Sequence, residues 1–240
     1  MKASLRRRLW QPVKMLVSRL WGTRMVGGFV RGDGTWLPHT RLSNTTVVFA
    51  RERLDVGDHV FIGHFSVLDA TYGLRIGEGC QIGFFTGIFT HSSHAAIRLY
   101  GREYVRVPEK KAYFTAPVDI GDYCFVGAHA TLLPGTRLGR GSIVSAYSLV
   151  SGEHPDFAIL AGQPAKVVGD TRRMDERLLR EHPELMPFYE AWAGGLPGAL
   201  MAADAAAETV APPMPSPTAP TSTARSGPSS ASPTTPSSSP

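Results

Sequence analysis

An aliphatic residue returns every six positions through the middle of the chain: Val56, Ile62 and Leu68; Ile76, Ile82 and Ile88; and, after one long interruption, Ile120, Val126, Leu132, Leu138, Val144 and Val150. The residue after each is usually small or turn-forming, as at Gly57, Gly63, Gly77, Gly83, Gly121, Gly127 and Gly139. Four positions after most of the aliphatics comes a compact side chain: Val60, Ser66, Cys80, Thr86, Cys124, Ala130, Thr136, Ser142 and Ser148. A helix, with a period of about 3.6, and a lone strand, with a period of about 2, cannot sustain that spacing, whereas a coil of short strands joined by tight corners does. The repeat therefore predicts an all-β solenoid. Each strand points its aliphatic inward, the compact residue fills the narrow interior, and the glycine is expected to tolerate unusual backbone angles at the corner. Three hexads, about 18 residues, make one coil, and coils stack through parallel sheets. An evenly spaced sandwich is the plain alternative, but every one of these hexad positions is Leu, Ile or Val.

Outside the repeat, residues 3–21 place Leu5, Leu9, Val13, Leu16 and Leu20 at helical spacing, with Trp10 and Trp21 nearby and Pro12 set to limit or kink the helix. Residues 1–26 thus form a basic amphipathic segment with two open readings: attachment to an anionic membrane face, or packing on the solenoid's open end or on a neighbouring subunit. Residues 27–55 read as an irregular first coil that caps an otherwise open stack. Residues 170–194 predict a helical pair, with Asp170 as N-cap and Pro183 dividing it, laid against the coil. Residues 195–240 are dominated by Ala, Pro, Ser and Thr. Such a tail is expected to stay disordered, because it has too little apolar surface to offset its ordering entropy.

Charge is unevenly placed. Lys2, Arg6, Arg7, Arg8, Lys14, Arg19 and Arg24 stand before residue 27 with no acid among them, so of the chain's +5 the rest carries −2. The high isoelectric point belongs to the N-terminus, and the mixed charge of the body, without a binding motif, argues against nucleic acid. Cys80 and Cys124 both fall on the compact inward position and read as reduced core residues. No apolar run approaches a membrane span, and Lys14 and Arg19 interrupt the only candidate signal region. A cytoplasmic protein is expected, with a peripheral place at the inner membrane face if residues 1–24 bind lipid.

The interruption, residues 89–117, is where a regular scaffold mounts function, since the scaffold fixes the loop ends while the loop can vary. It carries His91 and His94, then Arg98, Tyr100, Arg102, Tyr104, Arg106, Lys110, Lys111 and Tyr113. Cations and aromatics together suit a polar, ring-bearing ligand such as a sugar.

The hexads over roughly residues 46–169, closed by Gly162-Gln163-Pro164-Ala165-Lys166, resemble the hexapeptide-repeat acyltransferases, in particular galactoside and maltose O-acetyltransferases and polysaccharide-biosynthesis acetyltransferases. The resemblance implies a left-handed parallel β-helix over residues 27–169. The hand comes from the resemblance alone, because the general rule for parallel crossovers favours the opposite one. It further implies a homotrimer with sites between subunits, acetyl-CoA as cosubstrate, no metal, and a sugar-containing acceptor. Residue by residue, His91 matches the loop histidine that acts as base, and His94 a second loop histidine on the acceptor side. Ala128 matches a position whose backbone contacts acetyl-CoA and whose amide stabilises the oxyanion. Ala146, one coil on, matches the next coenzyme contact, and Lys166 a basic residue near the coenzyme's phosphates. Gly63-His64 replaces a substrate-contacting Asn of the galactoside enzymes, and their acceptor-side Asp aligns loosely with Asp69, so His64 and Asp69 are the weaker acceptor-binding candidates.

Chemically, acyl transfer from a thioester to a hydroxyl needs a base, an oxyanion donor and a carrier slot. No Gly-x-Ser-x-Gly elbow or catalytic-cysteine signature points to a covalent intermediate, so direct attack with a histidine base is the economical mechanism. Two rivals stay open. One is a zinc enzyme resembling the γ-class carbonic anhydrases, using His91 and His94 with His64 or His129; the other is a non-catalytic trimeric scaffold.

Overall fold

A computed structural model of the chain describes residues 10, 12–17 and 22–195. Most of the N-terminal amphipathic segment and the tail from residue 196 lie outside the described residues. Within the repeat the short strands pair not with their neighbours in sequence but with the next strand of the same face, three hexads on apart from the excursion, and this winds the chain into a three-faced parallel coil. The first face stacks Trp36–Ser43, Phe61–Ile62, Gln81–Ile82, Phe125–Val126, Ile143–Val144 and Ala158–Gly162. The second stacks Val47–Phe49, Val67–Asp69, Gly87–Ile88, Thr131–Leu132 and Leu149–Val150. The third stacks Leu54–Val56, Leu74–Ile76, Val118–Ile120, Arg137–Leu138 and Glu153–His154. The chain turns corner one between faces one and two, corner two between faces two and three, and corner three on its return to face one.

The hexad aliphatics face the interior, all of them 4% exposed or less. Their register is strict, with Ile62 opposite Ile82, Leu68 opposite Ile88, and Val126 opposite Val144. The compact positions are equally buried, and several cap corner carbonyls: Ser66 Oγ donates to Gly83 O at 3.0 Å, Thr136 Oγ1 to Leu133 O at 2.7 Å and Cys80 Sγ to Gly121 O at 3.0 Å. Both cysteines are free and buried.

The glycines serve differently from the expectation. None of Gly57, Gly63, Gly83 or Gly127 has a positive φ. They are needed because coils nearly touch there: a Cβ on Gly83 would lie 2.7 Å from the backbone nitrogen of Ala128, and one on Gly127 would lie 2.5 Å from that of Ala146. The left-handed backbone falls two residues later, at His59, Phe65, Phe85, Tyr123, His129 and Tyr147, with φ between 55° and 61°. Bulky residues in this conformation cost on the order of 1–3 kcal/mol each. Coil-to-coil contacts offset it. The N–H of several of these residues bonds the preceding coil, as from His129 to Phe84 O and from Tyr147 to Ala128 O, both at 3.0 Å. The rings stack as well: Phe65 on Phe85 at 5.1 Å, Phe85 on His129 at 4.8 Å and His129 on Tyr147 at 4.7 Å.

The first coil is more regular than expected. Leu42, Val48 and Val56 occupy rungs opposite Ile62, Leu68 and Ile76, and a 3₁₀ turn at Arg51–Arg53 disguises their spacing. The cap is the antiparallel strand Met25–Val30, folded back on Trp36–Ser43. At the far end Ala165–Asp170 folds back on Ala158–Gly162. The chain then forms helices Thr171–Glu181 and Met186–Ala193, split by a turn at Pro183–Leu185. Asp170 caps the first by accepting Arg172 N–H at 2.9 Å. The pair packs on corner three through Phe157, Leu179, Tyr189 and Ala193, with Trp192 stacked on Tyr123 at 4.6 Å.

Gly127→Ala is expected to lower stability by about 1–3 kcal/mol in chemical denaturation, since the new methyl meets backbone that cannot swing aside.

Candidate active site

The excursion of residues 89–117 leaves corner two and returns to it. Its neck is closed by antiparallel strands His91–Ser92 and Phe114–Thr115. Beyond the neck, helix His94–Tyr100 and a 3₁₀ segment at Gly101–Val105 give it a structure that its mixed composition did not announce.

Below the neck, Asp69 ends a second-face strand and turns its carboxylate inward, only 2% exposed. Burial alone would raise its pKa. Four hydrogen bonds outweigh burial: the Thr71 hydroxyl and N–H donate to Oδ1, the N–H at 3.0 Å, while the N–H and hydroxyl of Thr90 donate to Oδ2 at 3.0 and 2.9 Å. They hold the carboxyl at about 2, ionised at any physiological pH. The same Oδ2 lies 2.7 Å from His91 Nδ1. That is ion-pair distance, although the approach is too bent for a regular hydrogen bond. Such contacts commonly straighten only when substrate is bound.

The imidazole is held on other sides too. Tyr113 stacks on it at 5.5 Å and Tyr72 meets it edge-on at 5.9 Å. Its Nδ1 is buried while 35% of the side chain is exposed, so solvent reaches the remainder of the ring. Two cavities flank it. One of about 360 Å³ is lined by Phe89, His91, Ser92, His94, Leu133 and Pro134. The other, of about 480 Å³, is walled by Tyr72, Tyr104, Tyr113, Glu109 and Lys110. His94 shares the first cavity, stacked on Phe114 at 5.2 Å with Nδ1 2.8 Å from Ser92 Oγ.

Asp69, expected on the acceptor side, is instead buried under His91, with its carboxylate against that ring. The signal lay in Asp69-Ala70-Thr71, a turn in which a carboxylate accepts the N–H two residues on. His64 stands elsewhere, at corner one, with Nδ1 2.5 Å from Ser43 Oγ and its ring stacked on Phe84 at 5.5 Å.

Ala128 and Ala146 also lie at corner one, half-buried and exposed respectively, on adjacent coils aligned through Val126 and Val144. The amide N–H of Ala128 makes no hydrogen bond among the described residues. The turn before Lys166 reaches the same corner, since the Gln163 amide donates to Tyr147 O; Lys166 itself is exposed on Ala165–Asp170. One chain therefore gathers the expected coenzyme contacts on one edge and His91 with His94 on another. Among the described residues of one chain, neither loop histidine joins His64 or His129 in a possible ligand cluster.

Residues 117–146 match the family model described as the hexapeptide repeat of succinyl-transferase. Among curated proteins, the chain is 34% identical over 105 residues to the putative acetyltransferase YvoF of Bacillus subtilis, covering 44% of this chain and 52% of that one. It is 38% identical over 126 residues to the putative lipopolysaccharide biosynthesis O-acetyl transferase WbbJ of Escherichia coli, covering 51% and 60%. The chain thus spans about half the length of the curated relatives it matches. A crystal structure of the hexapeptide-repeat acetyltransferase VCA0836 from Vibrio cholerae, complexed with acetyl coenzyme A, aligns with a TM-score of 0.46 at 24% identity, over 52% of this chain and 64% of that one. By the matched repeat, by these relatives and by hexads that pack rung on rung, the chain is similar to the hexapeptide-repeat acyltransferases.

Proposed function

We propose that this protein transfers an acetyl group from acetyl-CoA to a hydroxyl of a sugar or polysaccharide precursor, with His91 as general base. The observation that carries the reading is the buried Asp69 carboxylate set against His91 Nδ1. An ionised partner on Nδ1 favours the tautomer with its proton there, and leaves Nε2 free to accept one from a hydroxyl. As the proton moves to Nε2, Asp69 stabilises the imidazolium. The alkoxide oxygen attacks the thioester carbonyl, the carbonyl oxygen takes the negative charge, and the Ala128 N–H is a donor for it. Collapse of the tetrahedral intermediate breaks the carbon–sulfur bond, and the coenzyme thiolate recovers the proton from His91.

Because His91 and Ala128 stand on different edges of one chain, the reading requires assembly. A homotrimer would bring corner two of one subunit to corner one of the next, in coils of the left-handed form. Ala146 and Lys166 would then extend the coenzyme slot from Ala128, Lys166 toward the phosphates. Tyr72, Tyr104 and Tyr113 offer the flat faces on which sugar rings pack, with His94 and Lys110 beside them. The named function of WbbJ, lipopolysaccharide O-acetylation, agrees with such an acceptor.

Among the described residues, no helix is long and apolar enough to cross a membrane. The reading places the protein in the cytoplasm, with residues 1–24 touching the inner membrane face. In the short helical stretch that is described, Val13 and Leu16 are 44% and 63% exposed, free to meet lipid.

His91→Ala is expected to lower kcat by about 10²–10⁴-fold, the usual worth of a general base. Acetyl-CoA binding by calorimetry should be retained; loss of binding without loss of fold would instead put His91 in the coenzyme slot. Asp69→Asn should lower kcat with little change in KM. It should also flatten the acid limb of stability: a carboxyl held at about 2 against an ordinary 3.8 adds stability above that ordinary value and loses it as pH falls toward 2. Thermal melts of wild type and Asp69→Asn between those limits measure the difference. Deleting residues 1–24 should shift the protein from the membrane to the soluble fraction of cells.

A further inference from the structure

We propose that His39, Asp58 and His59 form a binding site for a divalent transition-metal ion, apart from both the acyl-transfer corner and the coenzyme edge. The site lies at corner three, where strand Trp36–Ser43 of the first coil passes the turn after Val56. One ligand atom from each of the three residues can be chosen so that all lie within 4.8 Å of one another. The two rings stack nearly parallel, 4.5 Å apart at 15°, so a turn of one exposed ring about its side-chain bonds aims both at a single ion. Both histidines are exposed, so an ion can enter without rearrangement of the core.

The carboxylate is pinned. Asp58 Oδ1 accepts the His39 N–H at 2.9 Å, the His59 N–H at 2.8 Å and the hydroxyl of Thr40, itself 1% exposed, at 3.1 Å. A single oxygen thus fixes the backbone of both histidines relative to itself. Oδ2 and the ring nitrogens of His39 and His59 take part in no hydrogen bond or ion pair among the described residues. The backbone at both histidines is therefore ordered in advance, which lowers the cost of gathering the ligands around an ion.

Two imidazoles and one carboxylate suit a borderline first-row ion, Zn²⁺ or Co²⁺, better than Ca²⁺ or Mg²⁺, which prefer oxygen ligands. With three protein ligands the ion would keep a coordination position for water or a group from another molecule. Corner three carries neither His91 nor Ala128, so the site does not depend on the acetyltransferase reading.

The test is titration of tag-free full-length protein with Zn²⁺ by calorimetry, and with Co²⁺ by visible absorption. One equivalent per chain is expected, with Co²⁺ giving the visible bands of nitrogen and oxygen coordination. His39→Ala and His59→Asn should each weaken binding at least about tenfold; Asn tolerates the left-handed backbone at position 59, so that variant keeps the turn. Zn²⁺ should raise Tm of wild type and of His91→Ala, but not of the His39→Ala, His59→Asn double variant. Absence of saturable binding in wild type, or one equivalent bound unchanged by the double variant, overturns the proposal.

Discussion

Everything in this molecule depends on how closely one coil can lie on the next. At the glycines that follow rung aliphatics, adjacent backbones approach to where a methyl group would stand 2.5–2.7 Å from a neighbouring backbone nitrogen, as at Gly127, Gly57 and Gly83. Glycine there lets the aliphatics above and below meet and the interior stay dry. The backbone strain of the corner is displaced two residues on, to His59, Phe65, Phe85, Tyr123, His129 and Tyr147. A close-packed interior and strained, ring-bearing edges arise from the same geometric demand.

Those edges divide the chemistry. Corner one is a continuous edge of short turns on which Phe65, Phe85, His129 and Tyr147 stack and beside which Ala128 and Ala146 align. Corner two is broken by the excursion that lifts His91 over Asp69. The carboxylate is charged in spite of burial because Thr71 and Thr90 give it four hydrogen bonds. Without them desolvation would neutralise it, and His91 would lose its partner.

The separation of Ala128 from His91 gives the proposed acyl transfer a structural logic. A single coil is too regular to fold one edge onto another, so groups on different edges can meet only across an interface between copies. The base, the loop and the coenzyme contacts can then each be set by local packing, with the active arrangement produced by assembly.

The repeat alone determined a great deal. Its six-residue period, with an aliphatic at every rung, pointed to a coil of short parallel strands over an evenly spaced sandwich, and interruption by 89–117 marked where His91 is mounted. Resemblance named Ala128, Ala146 and Lys166 as candidates; that the first two fall on adjacent coils of one corner is set by the register of Val126 with Val144. The sequence did not disclose the first coil, where Arg51–Arg53 breaks the period between Val48 and Val56, nor the true office of the glycines, which depends on a backbone about a coil away. It could not assign Asp69 to His91, since those residues are 22 apart in the chain and meet only because Leu68 and Ile88 share a register. Nor could it bring His39 to His59. A local pattern fixes which side of a strand faces inward, but which polar groups meet at a corner is settled by stacking between coils, and only the tertiary structure carries that register.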